Sequence, residues 1–130
     1  MTETGTVVFD QEDILTELAS APDVTLDAYG FGVIGFDRAT VVRRYNTFES
    51  NVAGLSNSKV VGHPLFTVVA PCMNNFLVAQ RFEDATAANT ELDIVIDYVL
   101  TLRMRPIKVK LRLLAGAASD LRYVLIKRLA

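Results

Sequence analysis

Hydrophobic and polar positions alternate most clearly in the last third of the chain. Leu92, Ile94, Ile96, Tyr98 and Leu100 recur at every second residue, Lys108, Lys110 and Arg112 interleave with Ile107, Val109, Leu111 and Leu113, and residues 123–127 continue the pattern. A period of two belongs to a strand with one buried and one wet face, so three antiparallel strands are predicted, with turns near 103–106 and 116–120. Upstream, 29–36 is an apolar run broken by Gly30, Gly32 and Gly35. That is the signature of a buried strand with glycines where another backbone or a ligand comes close. A turn at 37–39 leads into a second strand over 40–44.

Between 46 and 62 the alternation fails, and the mixture of Asn, Ser, Gly and isolated apolar residues predicts short helical turns on one face of a sheet, one of them capped by Ser56. Phe76, Ala79 and Phe82 are three residues apart and predict the main helix, starting at Asn75. At the other end, Asp10 is read as the cap of a short helix over 11–20, with Ile14, Leu15 and Leu18 on one side. This cap has few apolar anchors, and its stability is expected to be low. The element order predicts an α+β fold: a five-stranded antiparallel sheet with helices over one face and an N-terminal helical cap. One structural domain is expected, with the cap at 1–25 and the core at 26–130.

Length and charge narrow the function classes. A chain of 130 residues that is 51% hydrophobic closes one core, and two independent domains would each be too small. The formal charge of -2 is spread along the chain without a basic cluster interleaved with aromatics, which argues against nucleic acid as a partner. No apolar run reaches the ~20 residues of a membrane span, and the first twelve residues lack the basic start and apolar core of a signal segment. A cytoplasmic protein with no membrane partner is expected. The chain has one Cys and one His, so an internal disulfide and a Cys/His zinc set are both excluded.

Three side chains remain as candidates for chemistry. Cys72 follows Pro71 and precedes the predicted helix, where the positive helix end would favour a thiolate and an acyl thioester could form; taken by itself it reads more simply as a small buried apolar residue. Tyr45 and Glu49 are four apart in a segment read as helical, which would put both on one face. If that face points inward, Glu49 must be paired or neutral, and with Tyr45 it would then offer two donors to one buried anion. On a surface the same two residues would be unremarkable. His63 has no acidic or hydroxyl arrangement that would make it a base for Cys72, so an enzyme with a transient acyl-cysteine is disfavoured. Met104 falls in a turn, either as ordinary filler or as the soft wall of a ligand site.

These residues come in order and at matching spacing with a known pattern: residues 27–34, Tyr45-Asn46, Glu49, Gly54, Val69-Ala70-Pro71-Cys72, Met104, residues 106–110 and Lys127-Arg128. Over residues 9–128 the chain resembles the photoactive yellow protein family, small bacterial blue-light receptors of the PAS superfamily. Most of the matches are general PAS framework. The Ala-Pro-Cys before the main helix, together with Tyr and Glu four apart, is far more specific.

The resemblance implies a PAS fold and a chromophore, p-coumaric acid (4-hydroxycinnamic acid), held as a thioester on Cys72. Tyr45 and a protonated Glu49 would hold its phenolate, and Ile34, Ala53, Leu55, Phe66, Ala70, Pro71, Leu100 and Met104 would complete the site. It further implies that blue light isomerises the pigment from trans to cis, that Glu49 gives its proton to the phenolate, and that the new carboxylate loosens the N-terminal cap as the signal. Cys72 N–H would hold the thioester carbonyl, and Met104 would assist thermal return.

Three positions depart from the family. Ala53 replaces a threonine whose hydroxyl supports the tyrosine, removing a hydrogen bond worth about 0.5–1.5 kcal/mol. Leu55 replaces an arginine and removes a cation near the phenolate, while Leu100 replaces a phenylalanine beside the pigment. Retuned photochemistry is the expected result. The partners implied are the small-molecule chromophore and a downstream signalling protein the sequence does not identify, with the chain itself a monomer or weak dimer. The competing reading is a light-independent PAS sensor that binds a ligand noncovalently or serves in dimerisation, and colour separates the two.

Overall fold

A single antiparallel sheet organises the chain, seen here in a computed structural model that describes residues 7–101, 105–116 and 119–129. Its strands are β1 (Gly32–Phe36), β2 (Val42–Tyr45), β3 (Leu92–Leu100), β4 (Ile107–Ala115) and β5 (Arg122–Arg128), in the order β2-β1-β5-β4-β3. The strong alternation predicted three of these strands, and β3 pairs with β4 in unbroken register from Leu92↔Ala115 to Leu100↔Ile107. β1 and β5 are interior strands with neighbours on both sides, which is why β1 reads as a continuous apolar run and is buried throughout.

Side-chain parity divides the sheet into two faces. Ile34, Phe36, Val109, Leu111, Leu113, Val124 and Ile126 point to one face, where α3 (Thr47–Ala53), α4 (Asn57–Val60) and α5 (Ala79–Ala88) close the larger core. There Phe36 meets Phe66 and Phe82 edge-on, with ring centroids 5.6 and 4.9 Å away. Val33, Leu114, Tyr123 and Leu125 point the other way. They are covered by the N-terminal segment, through Val7, Phe9, Ile14, Leu18 and Leu26 from α1 (Ile14–Ser20), α2 (Asp23–Leu26) and the chain before them.

The cap differs from its sequence reading in two respects. Its helix begins at Ile14 rather than near Gln11, because Asp13 takes a left-handed conformation (φ 57°) and neither it nor Asp10 caps through its side chain. It is also better anchored than its short apolar pattern suggests. Arg112, read as part of a wet strand face, is buried beneath it: Nη1 donates to the carbonyls of Phe9 and Gln11, both at 2.8 Å, while Nε and Nη2 grip Asp93. Arg44 does the same from β2, donating to the carbonyls of Leu18 and Ala21 and to Asp23. Charge-assisted hydrogen bonds therefore supply what the few apolar contacts of a seven-residue helix do not.

The main helix is also shorter than predicted. Asn75 does not start it; its Oδ1 accepts from the backbone N–H groups of Leu77 and Val78, a side-chain turn that competes with helix and delays α5 to Ala79. Phe76 consequently lies outside the helix and is 76% exposed, and the helix meets the core through Phe82 with Ala79 beside it.

Candidate functional site

The site is assembled where β1, β2, β5 and α3 meet. Tyr45 is the last residue of β2, not part of a helix as its spacing to Glu49 suggested. The chain turns at Asn46, whose Oδ1 accepts from Glu49 N–H at 3.2 Å and from Val33 N–H at 2.9 Å, capping α3 and tying it to β1. Asn46 Nδ2 donates to the carbonyls of Leu26 and Phe31, so the same amide reaches the N-terminal segment. Placed in the first turn of α3, Glu49 projects inward over β1. Gly32 makes this approach possible, since a Cβ there would overlap Glu49 Oε1. The glycine signal in the sequence thus marks a close side-chain approach.

Glu49 is 2% exposed and ion-paired. Arg128, the last residue of β5, donates from Nη1 to Oε1 at 2.7 Å and from Nη2 to Oε2 at 3.0 Å. Its Nε is buried and has no hydrogen-bond partner among the described residues. Of the two alternatives open to a buried carboxyl, this one is paired. Burial pushes the Glu49 carboxyl above its ordinary value, and the two Arg128 hydrogen bonds and its charge only partly offset this. Burial, with the neighbouring Glu49 charge, pushes the Tyr45 phenol far up, so Tyr45 stays a neutral donor. Among the described residues its hydroxyl donates to none.

The pH dependence of stability follows. The folded chain binds the Glu49 proton more tightly than the unfolded chain does, so this stabilising contribution is complete below the ordinary value of 4.5 and is lost as pH rises through the higher folded value. Urea unfolding between pH 4 and 8 should show stability declining across that window in the parent relative to Glu49→Gln. Parallel curves for the two proteins would contradict it.

Beside this acidic end lies a small apolar cavity lined by Ile34, Tyr45, Glu49, Ala53, Leu55 and Leu100, and closed by Val69, Ala70, Met73 and Ile126. Seven of the residues picked out from sequence therefore converge: Ile34, Tyr45, Glu49, Ala53, Leu55, Ala70 and Leu100. A wide π turn over Leu65–Val69, in which Ala70 N–H bonds back to Leu65 at 2.7 Å, carries Val69 and Ala70 into the wall. Pro71 and Cys72 follow in a single 3-10 turn between Ala70 and Met73, and Cys72 is half-buried against the same core. The turn is pinned to β3, with Tyr98 Oη donating to the Cys72 carbonyl at 2.5 Å and Asn75 Nδ2 joining it at 3.2 Å.

Other expectations are corrected or fall elsewhere. Cys72 is not at the start of an α-helix, because α5 begins only at Ala79. Phe66 turns away from the cavity into the aromatic cluster with Phe36 and Phe82. Met104 lies outside the described residues. Sequence reasoning gave no site role to Arg128, Met73 or Ile126. Strand parity from Val124 through Ile126 to Arg128 was the available signal for the first and last of these.

A five-stranded antiparallel sheet with short helices over one face, a helical N-terminal cap on the other and a buried acid beside a cysteine-bearing turn defines a PAS-type sensor domain. No protein-family model matches the chain. The photoactive yellow protein of Halochromatium salexigens is 32% identical over 123 residues, covering 95% of this chain and 98% of that protein. That of Rhodothalassium salexigens is 30% identical over 122 residues, covering 94% and 97%. The crystal structure of the photoactive yellow protein domain from the sensor histidine kinase Ppr of Rhodospirillum centenum superposes with a TM-score of 0.78 at 29% identity, covering 86% of this chain and 98% of that one. The chain belongs to the photoactive yellow protein family of PAS photosensors.

Proposed function

We propose that this chain is a non-enzymatic blue-light receptor that carries p-coumaric acid as a thioester on Cys72 Sγ and signals through its N-terminal cap. The observation that carries the reading is the buried acid: Tyr45, Glu49 and Arg128 gather at one end of an apolar cavity whose wall runs through Ala70 to the turn bearing Cys72. The donor set fits a phenolic acid. One phenol, one carboxyl and one guanidinium suit a phenolate, apolar side chains suit its ring, and the only thiol of the chain suits its acyl end. Free volume inside is about 10 Å3, so the ring would be admitted by rotamer changes of lining side chains such as Leu55 and Met73.

When bound, the pigment supplies blue absorption and a light-driven trans-to-cis isomerisation. Tyr45 Oη and a protonated Glu49 would hold its phenolate oxygen as donors, the Tyr45 phenol remaining neutral because burial raises it. After illumination Glu49 would give up its proton and return to the carboxylate that Arg128 pairs, moving the negative charge from one end of the buried cluster to the other. Asn46 would carry a rearrangement of α3 outward, because its Oδ1 holds Glu49 N–H and its Nδ2 holds the carbonyls of Leu26 and Phe31. Tyr98 and Asn75 keep the Cys72 turn fixed on β3 meanwhile.

Reconstitution with activated p-coumarate tests the reading. The protein should gain one pigment mass, turn yellow, bleach under blue light and recover in the dark. A colourless product, or a colour indifferent to light, would leave a PAS domain with another ligand.

A further inference from the structure

The Glu49–Arg128 pair stands where the family pattern led to a different expectation. With Leu55 in place of an arginine, the sequence left open whether another residue supplies a cation to the acidic end of the cavity. The structure supplies one from another element. Arg128 faces inward by the same parity that buries Val124 and Ile126, grips both Glu49 oxygens, and is the cation that acts on both Glu49 and Tyr45. The groups facing Glu49 are thus Tyr45 from β2, Arg128 from β5 and uncharged Gly32 from β1. Among the described residues nothing accepts from Arg128 Nε, which leaves a buried donor that Glu49 does not use.

We propose that Arg128 is the resident counter-cation of this site, and that the Glu49–Arg128 pair accepts the proton of an entering phenol so that no net charge is buried. The inference rests on the phenolate-holding function proposed above. Before entry, carboxylate and guanidinium sum to zero and the phenol is neutral. On entry, the phenolic O–H bond breaks and an O–H bond forms on Glu49 Oε. The carboxyl is then neutral and the phenolate is balanced by Arg128, so the sum is again zero and no proton is drawn from solvent. Without Arg128 the same step would leave one uncompensated negative charge among Ile34, Leu100 and Ile126. The protonated Glu49 that the family pattern implies is then a product of loading, and the ionised, paired Glu49 is the state of the pigment-free chain.

The pigment-free and loaded proteins give separate readouts. In pigment-free Arg128→Gln at neutral pH, infrared spectroscopy should reveal a protonated-carboxyl band that is absent from the parent, absent from Arg128→Lys, and removed in the double variant Glu49→Gln/Arg128→Gln. In loaded protein, the visible titration that converts protonated pigment to phenolate should move up by about one pH unit or more in Arg128→Gln, and by less in Arg128→Lys, which keeps the charge. If both the infrared spectrum and the titration of Arg128→Gln match the parent, the counter-cation role is overturned while Cys72 attachment stands. If the parent takes up no pigment, the phenolate-holding function falls, and the infrared comparison still decides whether Arg128 keeps Glu49 ionised. Should thermal melting show Arg128→Gln to be unfolded, Arg128→Lys decides: a protonated Glu49 band in that folded, charged variant would overturn the role.

Discussion

Cys72→Ala protein should stay colourless and gain no mass when treated with activated p-coumarate, while the parent should turn yellow; the expected loss is complete because the chain has no second thiol. The surrounding turn is held by groups that do not involve the sulfur. The Cys72 carbonyl accepts from Tyr98 and Asn75, and Pro71 fixes the first position of the 3-10 turn. The variant should therefore keep its fold, and its circular dichroism and melting temperature should stay close to those of the parent. Intact-protein mass spectrometry reads the result directly. Equal mass gain in parent and variant would place the attachment elsewhere and remove the basis for the photoreceptor reading.

The second large effect is expected in the cap. Steady blue light should raise hydrogen exchange in α1, Ile14–Ser20, by about tenfold or more, equivalent to some ~1.4 kcal/mol of local stability, while β4, Ile107–Ala115, changes little. The contrast follows from what holds each element. β4 is paired on both sides by β3 and β5, whereas α1 is a seven-residue helix that rests on Ile14, Leu18 and the carbonyl grips of Arg44. The proposed link from the pocket is Asn46, whose amide holds Glu49 N–H together with the carbonyls of Leu26 and Phe31, so a light-driven shift of α3 would be felt in the N-terminal segment. Glu49→Gln, which cannot ionise, should keep its colour and lose most of the light-dependent exchange. Equal exchange in light and dark would rule out the cap as the output element, whatever the pigment does.

Much of the frame was legible in the sequence because it depends on local periodicity. Alternation fixes which residues of a strand share a face, so β3, β4 and β5 follow from the pattern, although β5 and the C-terminal half of β4 are buried on both faces rather than one. The apolar run at β1 and the failure of alternation after Tyr45 likewise identify an interior strand and the short helices α3 and α4. Gly32 announced a close approach, and Tyr45, Glu49, Ala70 and Cys72 were recognisable as a set.

What the sequence could not determine is what lies across from each face, since that depends on contacts between residues far apart in the chain. Arg112 has the spacing of a solvated position, but the N-terminal segment lies over it and uses its guanidinium for the carbonyls of Phe9 and Gln11. Phe76 has core spacing, but the Asn75 side chain takes the local backbone donors and leaves the ring in water. Glu49 was known to be costly if buried, and only the return of β5 alongside β1 brought Arg128, 79 residues away, onto its two oxygens. Periodicity encodes the direction of a side chain; the partner that sets its charge is decided by tertiary packing, because burial makes the carboxylate seek whichever cation the neighbouring strand presents.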